Sequence, residues 1–146
     1  MKPDLPMETR TLRQRSFQVA SSVLDSFRFA WQGICYAFWT QRNFRLELGV
    51  AVLAIALGWG LGLSPVAVAV VWLTCALVLA LELLNTALES VVDLTLGKTY
   101  HRLAKIAKDC AAGAVSVAAI ASLGIAGLLF GPPLWLRLAV ATAGPT

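Results

Sequence analysis

The sequence predicts an all-α membrane protein with three transmembrane helices and an N-terminal amphipathic helix at the membrane surface. Hydrophobic residues make up 58% of the 146 residues and charged residues only 14%, and the mean hydropathy is +0.74. Soluble domains are about a quarter charged and about half apolar, so this composition is typical of a chain embedded in a bilayer. The length suits one small domain of a few spans and no second folded unit.

The N-terminal part divides into a polar start and an amphipathic segment. We expect residues 1–15 to be disordered and cytoplasmic, and to be retained, because they lack the apolar run and cleavage site of a signal peptide. In 16–41 apolar side chains recur at steps of three and four residues, as an amphipathic helix requires. With Arg28 and several aromatic residues this helix suits the membrane surface, although a helix packed against the other spans would show the same pattern. This helix is the first element of the predicted membrane domain, residues 16–130.

Three apolar segments follow, each long enough to cross the bilayer once. We place them at about 46–63, 66–94 and 110–130, because a hydrocarbon core requires ~20 helical residues at ~1.5 Å each. The residues Gly-Leu-Ser-Pro at 62–65 predict a tight turn, since proline cannot continue a helical hydrogen-bond ladder. The first two spans should therefore form a helical hairpin. Residues 131–146 remain as a short tail, whose LWLRLAV run is too short to span.

The distribution of positive charge predicts the orientation. Of the twelve lysines and arginines, seven precede the first span, four lie in 94–109, and the hairpin turn has none. Positive residues favour the cytoplasmic side, so we expect a multi-pass protein with a cytoplasmic N-terminus and 94–109 segment. The net charge of +4 then serves orientation and attraction to anionic lipids. No basic stripe interleaved with aromatic residues indicates nucleic acid.

Four polar residues form a stripe in ELLNTALESVVD, at the end of the second span. Plotted at ~100° per residue, they project into one sector of ~80°. They are Glu82, Asn85, Glu89 and Asp93. An ionised residue at the centre of a membrane helix costs ~2.5 to 3.5 kcal/mol, so the stripe should face protein, water, metal or substrate. Such carboxylates can hold a divalent cation or take a proton from a substrate hydroxyl. Alternatively the helix merely leaves the bilayer, with Glu82 paired to an arginine.

A second polar cluster, LGKTYHRLAKIAKD, precedes the third span. Lys108 and Asp109 lie at its end, so a cation for phosphate and an anion for a metal or a ribose lie at the membrane level of the acidic stripe. This pattern indicates nucleotide chemistry. The alternative is a positively charged cytoplasmic anchor with a helix-capping aspartate. The lone His101 is more typical of a hydrogen-bonded loop residue than of a catalyst.

Together these motifs resemble the prokaryotic diacylglycerol kinase and undecaprenol kinase family. The resemblance rests on E-L-L-N-T-A-L-E-S-V-V-D, Y-H-R-L-A-K-I-A-K-D and A-A-G-A-V, and extends from about Phe27 to Phe130. It implies an ATP-dependent lipid kinase of the bacterial inner membrane, a homotrimer with shared active sites. Such an enzyme uses Mg2+ and transfers the γ-phosphoryl group of ATP to the hydroxyl of diacylglycerol or undecaprenol, giving phosphatidic acid or undecaprenyl phosphate.

The resemblance also implies a role for each matched residue. Glu82 matches the catalytic base and Glu89 a metal-binding carboxylate. The matched nucleotide-binding positions are Asn85, Asp93, Tyr100, His101, Lys108 and Asp109. One position departs from the family, which commonly has a second metal-binding glutamate where this chain has Gln41. The cation site is therefore weaker, or it recruits Glu47 instead.

Two other classes of protein, and two substrates, are compatible with the sequence. A non-catalytic membrane scaffold could keep the same fold, and a small transporter or channel subunit could carry intramembrane carboxylates. The stripe lies near one end of its helix without a broken helix or inverted repeat, which counts against transport. For the substrate, HRLAKIAKD and AAGAV are closer to the undecaprenol branch, which we favour slightly, whereas Glu47 after Phe44-Arg45 is closer to the diacylglycerol branch.

Overall fold

The structure, a computed structural model, describes residues 23–97 and 99–143, which form four α-helices joined by short connections. The helices are α1 (Val23–Thr40), α2 (Arg42–Gly60), α3 (Pro65–Leu96) and α4 (Arg102–Ala143). By length and composition, α2, α3 and α4 can each cross a membrane, and the described ranges contain no strand. The predicted all-α architecture, with three membrane helices and an N-terminal helix, is confirmed.

The chain divides into two compact units, the first of which ends at Tyr36. Its described part is the first section of α1, where the aromatic side chains of Phe27 and Trp31 are exposed, as an amphipathic membrane helix requires. The predicted disordered start at 1–15 and the first turns of the predicted surface helix, 16–22, lie outside the described residues. The location of α1 at the membrane surface stays a prediction.

In the second unit, a single residue, Gln41, separates α1 from α2. Its backbone is extended, with φ −101° and ψ 115°, although its N–H still bonds to the carbonyl of Ala37 at 2.8 Å. Arg45, one turn further on, donates to the carbonyls of Phe38 at 2.9 Å and Trp39 at 3.3 Å. These carbonyls belong to the last turn of α1 and have no partner within it. Arg45 therefore fixes the break that ends α1 and begins α2.

The predicted helical hairpin is present between α2 and α3. Gly62 has φ +73°, a left-handed conformation that glycine adopts without steric cost. Ser64 caps α3, since its side chain accepts a hydrogen bond from the N–H of Ala67 at 3.3 Å. Pro65 is the first residue of α3, where the missing N–H costs no hydrogen bond. The sequence thus encodes both the turn and the start of the next helix.

α3 packs against both α2 and α4. A buried cluster forms where Val78 of α3 meets Val115 and Ala118 of α4. At the other end of the bundle, a Cβ atom added to Gly58 of α2 would lie 3.7 Å from the ring of Phe130. Small residues at these positions allow membrane helices to approach closely, and close packing then stabilises their association.

α4 is longer than the predicted third span. It begins at Arg102 and continues through Pro132 and Pro133 to Ala143. Residues 131–143 are therefore helical, whereas the sequence predicted only a short tail after residue 130. Each proline removes one helical hydrogen bond and disfavours a straight helix. Membrane helices tolerate such breaks when local adjustment or neighbouring groups satisfy the freed carbonyls.

Candidate functional site

The polar stripe of α3 passes from the packed bundle to an exposed surface. Glu82 is only 3% exposed, Asn85 and Glu89 are half-buried, and Asp93 is exposed. Because these residues recur every three or four positions, they lie on one face of the helix. Burial decreases steadily along this face, so its carboxylates lie in increasingly aqueous surroundings.

Thr86 is a second buried polar residue beside Glu82, and the sequence did not single it out. It is 6% exposed, and its hydroxyl donates to the carbonyl of Glu82 at 3.0 Å. Ser90 repeats this pattern one turn later, donating to the carbonyl of Thr86 at 2.8 Å. Both hydroxyls are satisfied within α3, so they leave the carboxylate of Glu82 free to bind another group.

Glu47 of α2 extends the stripe at its buried end. Its carboxylate lies close enough to that of Glu82 for the two charges to repel, and Glu82 is within electrostatic reach of Glu89. In the described part of the chain, Glu47 Oε2 and Asn85 Oδ1 are buried without a hydrogen-bond partner. Since buried polar atoms are nearly always hydrogen-bonded, these two oxygens are available to a proton, a hydroxyl or a cation.

Five of the six predicted nucleotide-binding residues line one pocket between the end of α3 and the start of α4. The pocket has a volume of about 460 Å³. The five residues are Asp93, Tyr100, His101, Lys108 and Asp109. The sixth, Asn85, does not line this pocket and lies about two turns nearer to the buried end of α3.

Two ion pairs cross or border this pocket. Lys108 Nζ donates to Asp93 Oδ1 at 2.6 Å and thereby joins α4 to α3. Lys105 pairs with Asp109 one turn along α4. Solvent-accessible pairs of this kind contribute little stability. An anionic ligand could therefore draw both ammonium groups away from their carboxylates at small cost.

The connection between α3 and α4 places the pocket residues. Gly97, with φ +56°, ends α3 and donates its N–H to the carbonyl of Asp93 at 2.9 Å. His101 accepts a hydrogen bond at Nδ1 from the N–H of Leu103 at 3.2 Å, and its carbonyl accepts from the N–H of Lys105 at 3.1 Å. His101 thus lies in the connection just before α4 and is hydrogen-bonded there, as the sequence predicts, while its part in nucleotide binding stays a prediction.

Glu89 connects the buried carboxylates to the pocket. It interacts electrostatically with Glu82 on one side and with Lys108 on the other. We call these groups the charged row, because electrostatic interactions and the Lys108–Asp93 ion pair link each to the next. They are Glu47, Glu82, Glu89, Lys108 and Asp93. The row passes from the apolar interior to the water-facing pocket.

The donor atoms of this site suit a hard divalent cation, because they are carboxylate and amide oxygens. Within 23–97 and 99–143 no three histidine, cysteine, aspartate or glutamate side chains are grouped to hold a metal. Mg2+ commonly uses only one or two carboxylates and completes its shell with water and substrate phosphates. Glu89 suits such a role. Gln41 is half-buried at the start of α2, and its side chain makes no capping hydrogen bond there.

An apolar cavity of about 280 Å³ lies among α2, α3 and α4. Glu47 is the only charged residue among its described lining residues, which are otherwise mostly aliphatic and include Val50 and Val71. A hydrocarbon chain is the kind of group that such walls accommodate. The cavity therefore brings an apolar compartment to the buried end of the charged row.

These features define a class of protein: a small helical membrane protein with an apolar cavity among its spans and a charged polar pocket at their end. Comparisons with known proteins identify the family. The sequence profile of prokaryotic diacylglycerol kinases matches residues 28–130. The chain therefore belongs to the prokaryotic diacylglycerol kinase family, and it is an ATP-dependent lipid kinase of a bacterial membrane.

Individual relatives include enzymes of both substrate types. The chain is 57% identical over 129 residues to a diacylglycerol kinase from Synechocystis sp., covering 88% of this chain and 74% of the relative. It is 42% identical over 109 residues to an undecaprenol kinase from Bacillus subtilis, covering 75% and 88%. It is 33% identical over 102 residues to a diacylglycerol kinase from Escherichia coli K12, covering 69% and 82%. The scaffold and transport alternatives gain no support from these relatives.

Proposed function

We propose that this chain transfers the γ-phosphoryl group of MgATP to the primary hydroxyl of a membrane lipid, with diacylglycerol as the preferred acceptor. The observation that supports the proposal is the charged row, which extends from Glu47 at the apolar cavity to Lys108 and Asp93 at the polar pocket. Phosphoryl transfer depends chiefly on positioning and charge neutralisation, and this arrangement serves both. The 57% identity to the Synechocystis enzyme favours diacylglycerol.

Glu82 acts as the catalytic base in this proposal. The lipid tail occupies the apolar cavity, and its hydroxyl approaches the charged row where Glu47 and Glu82 meet. Glu82 takes the hydroxyl proton as the lipid oxygen bonds to the γ-phosphorus, and the bond from that phosphorus to the β-γ bridging oxygen breaks to release ADP. The unpartnered Glu47 Oε2 accepts a hydrogen bond from the incoming lipid and helps to orient it.

The pocket between α3 and α4 receives the nucleotide. Lys108 leaves Asp93 and contacts the phosphates, where an ammonium group acts as a point charge. Tyr100, His101 and Asp109 surround the rest of the nucleotide, and Asn85 provides a polar contact nearer the transferred group. Glu89 holds Mg2+, with Gln41 or Glu47 as a second ligand. When bound, the cation neutralises charge on the β- and γ-phosphate oxygens.

The proposal includes a homotrimer with shared active sites, in which 16–130 forms the membrane domain and the pocket faces the cytoplasm. The positive residues at 94–109 support the cytoplasmic orientation of that segment and of the N-terminus.

Undecaprenol is the second candidate acceptor. The Bacillus subtilis undecaprenol kinase is 42% identical over 109 residues, and the HRLAKIAKD and AAGAV segments resemble the undecaprenol branch of the family. Both lipids present a primary hydroxyl at the membrane surface. The described cavity walls are aliphatic and do not distinguish one hydrocarbon chain from another.

A competition assay tests the proposal. The purified protein is given diacylglycerol and undecaprenol at equal concentration in one detergent system with γ-labelled ATP and Mg2+, and the labelled lipids are separated. We expect phosphatidic acid in excess, and the Glu82→Gln protein should form both products more slowly by a factor on the order of 10² or more. An excess of undecaprenyl phosphate would assign the second candidate. ATP hydrolysis without either labelled lipid would contradict the proposed reaction.

A further inference from the structure

The last part of α4, residues 131–143, is a helix with no part in the proposed reaction. We call it the C-terminal extension. It has the sequence GPPLWLRLAVATA, with Arg137 as its one charged residue, and it lies beyond the stretch that the family profile matches. Its side chains are mostly apolar, so an environment other than water would stabilise this helix.

The length of α4 places this extension outside the hydrocarbon core. Lys108 of α4 pairs with Asp93 at one end of the bundle, and Phe130 packs beside Gly58 at the other. At 1.5 Å per residue, the distance along α4 from Lys108 to Phe130 is about 33 Å, which already matches a hydrocarbon thickness of about 30 Å. The 13 helical residues from 131 to 143 add about 20 Å.

Arg137 ties the extension to the level of the hairpin turn. Its guanidinium donates to the carbonyl of Gly60, the last residue of α2, at 2.9 Å. The last four carbonyls of a helix have no partner within it, and a cation is favourable at this end of the helix dipole. Side chains of a helix lean toward its N-terminus, so Arg137 reaches back from the extension to the end of α2.

The surface of the extension is apolar and uncovered in the single chain. Trp135 is 74% exposed, and Leu136, Leu138 and Val140 are also exposed. Trp59, near the end of α2, is 64% exposed. Tryptophan is enriched at membrane–water boundaries because its ring is amphipathic. Water alone is a costly environment for so many neighbouring apolar side chains.

The two prolines give the extension a place to bend. Pro132 and Pro133 lack the N–H groups that would bond to carbonyls one turn earlier, and proline is a common cause of helix kinks. In the structure α4 continues as one helix through both prolines; a bend at this point would turn the apolar extension, which would otherwise project into water, toward the membrane plane. Arg137 then keeps its charge at the polar boundary, beside the end of α2.

We propose that the C-terminal extension binds the lipid surface, lying at the boundary between head groups and acyl chains in the leaflet on the hairpin-turn side. Its ligand is the bilayer itself, and the hydrogen bond from Arg137 to Gly60 holds it to the end of α2. Interfacial helices bury their apolar side chains about 5 to 10 Å into this boundary. The extension thereby fixes the bundle at the membrane face opposite the charged row.

Spin labels in vesicles test this location. In the full chain with Cys35, Cys75 and Cys110 replaced by alanine, nitroxides are attached singly at Leu136→Cys, Leu138→Cys and Val140→Cys. Reference labels stand at Ile120→Cys within the span and at Thr99→Cys in the α3–α4 connection. We expect oxygen to relax the three extension labels more than a water-soluble nickel complex does, at depths between the two references.

Each other outcome overturns the proposal in a recognisable way. Dominant relaxation by the nickel complex would place the extension in water, and exclusion of both reagents would place it against a second copy of this chain. A depth equal to that of the Ile120→Cys label would place it within the hydrocarbon core.

The hydrogen bond from Arg137 to α2 is tested with the spin label at Leu138→Cys. Arg137→Gln removes the guanidinium and shortens the side chain, whereas Arg137→Lys keeps a cation that can still reach a carbonyl. We expect Arg137→Gln to increase the mobility of the label severalfold more than Arg137→Lys, with no change at Ile120→Cys. Equal mobility in all three proteins would remove Arg137 from this role.

Discussion

Glu82 combines two properties that a catalytic base for a lipid hydroxyl requires. It is 3% exposed, so it is shielded from water by the packed helices, and it adjoins a second carboxylate, Glu47. Thr86 bonds only to the backbone of α3 and offers no substitute base. The proposed proton transfer therefore depends on Glu82 itself.

Glu82→Gln should lower turnover by a factor on the order of 10² or more, because positioned general bases contribute about that much. The affinity for ATP should change little, since Glu82 lies outside the nucleotide pocket. An amide at this buried position carries no charge, so thermal stability should be kept or raised. Turnover is measured at saturating lipid and ATP, beside a thermal unfolding curve.

Glu8→Gln is the matched control for this measurement, because Glu8 precedes the stretch that the family profile matches. It makes the same chemical change and should leave turnover at the parental level. Turnover of Glu82→Gln within a few-fold of the parent would remove Glu82 from the role of base. Loss of the folded protein in the unfolding curve would instead show that the buried carboxylate is needed structurally.

The family resemblance implies that Gln41 occupies the position of a metal-binding glutamate. Gln41→Glu should therefore lower the Mg2+ concentration needed for half-maximal activity, because a carboxylate adds a full charge to a weak amide ligand. Glu89→Gln should raise that concentration by more than Gln41→Glu lowers it. Both variants are measured by titrating Mg2+ at saturating ATP.

Glu47→Gln distinguishes the two possible second ligands. If Glu47 is the second Mg2+ ligand in place of Gln41, Gln41→Glu will change the Mg2+ requirement little and Glu47→Gln will raise it. If Glu47 only orients the lipid, Glu47→Gln will change the apparent affinity for lipid instead. No shift of the Mg2+ requirement in any of the three variants would contradict the proposed cation site.

The residues of the site differ in how far the sequence could predict them. The stripe on α3 follows from helical periodicity, because spacing within one helix fixes which residues share a face. The approach of Glu47 to Glu82 could not be derived in this way, since it depends on how α2 packs against α3. Arg45 was also missed, because its role depends on the break at Gln41 rather than on any motif.

At the level of elements, the hairpin shows which helix boundaries a sequence encodes. Gly62 and Pro65 impose local backbone conformations that few other residues would allow, and the turn lies where they predicted it. The end of α4 was not predictable by the same rule, because Pro132 and Pro133 occur within the helix. Proline predicts a break only when neighbouring groups do not compensate for its lost hydrogen bond.

The length of α3 also has a functional consequence. Its 32 residues extend over about 48 Å at 1.5 Å per residue, well beyond a hydrocarbon core of about 30 Å. One rigid helix therefore carries Glu82 within the packed bundle and Asp93 at the exposed pocket. A lipid-side group and a nucleotide-side group keep a fixed separation because they belong to the same element.

For the whole molecule, the small residues at the start of the third span divide between two faces of α4. Ala111 and Ala118 are buried within the single chain, where Ala118 packs in the core cluster with Val78. Ala112 and Gly113 are exposed. Small residues favour close helix contact in membranes, so the exposed pair suits contact with another copy of this chain.

Gly113→Leu tests whether this exposed face joins the proposed trimer. A Cβ atom at Gly113 meets no atom within 4 Å in the single chain, so the leucine should fold normally and only obstruct the approach of a neighbouring helix. Native mass spectrometry in mild detergent should show three chains for the parent and for the control Gly113→Ala, which keeps a small side chain at this position. It should show mainly monomers for Gly113→Leu, with kinase activity falling in proportion, because the proposed sites are shared between chains. A parent protein that is monomeric and fully active, or a Gly113→Leu protein that assembles like the parent, would contradict this arrangement.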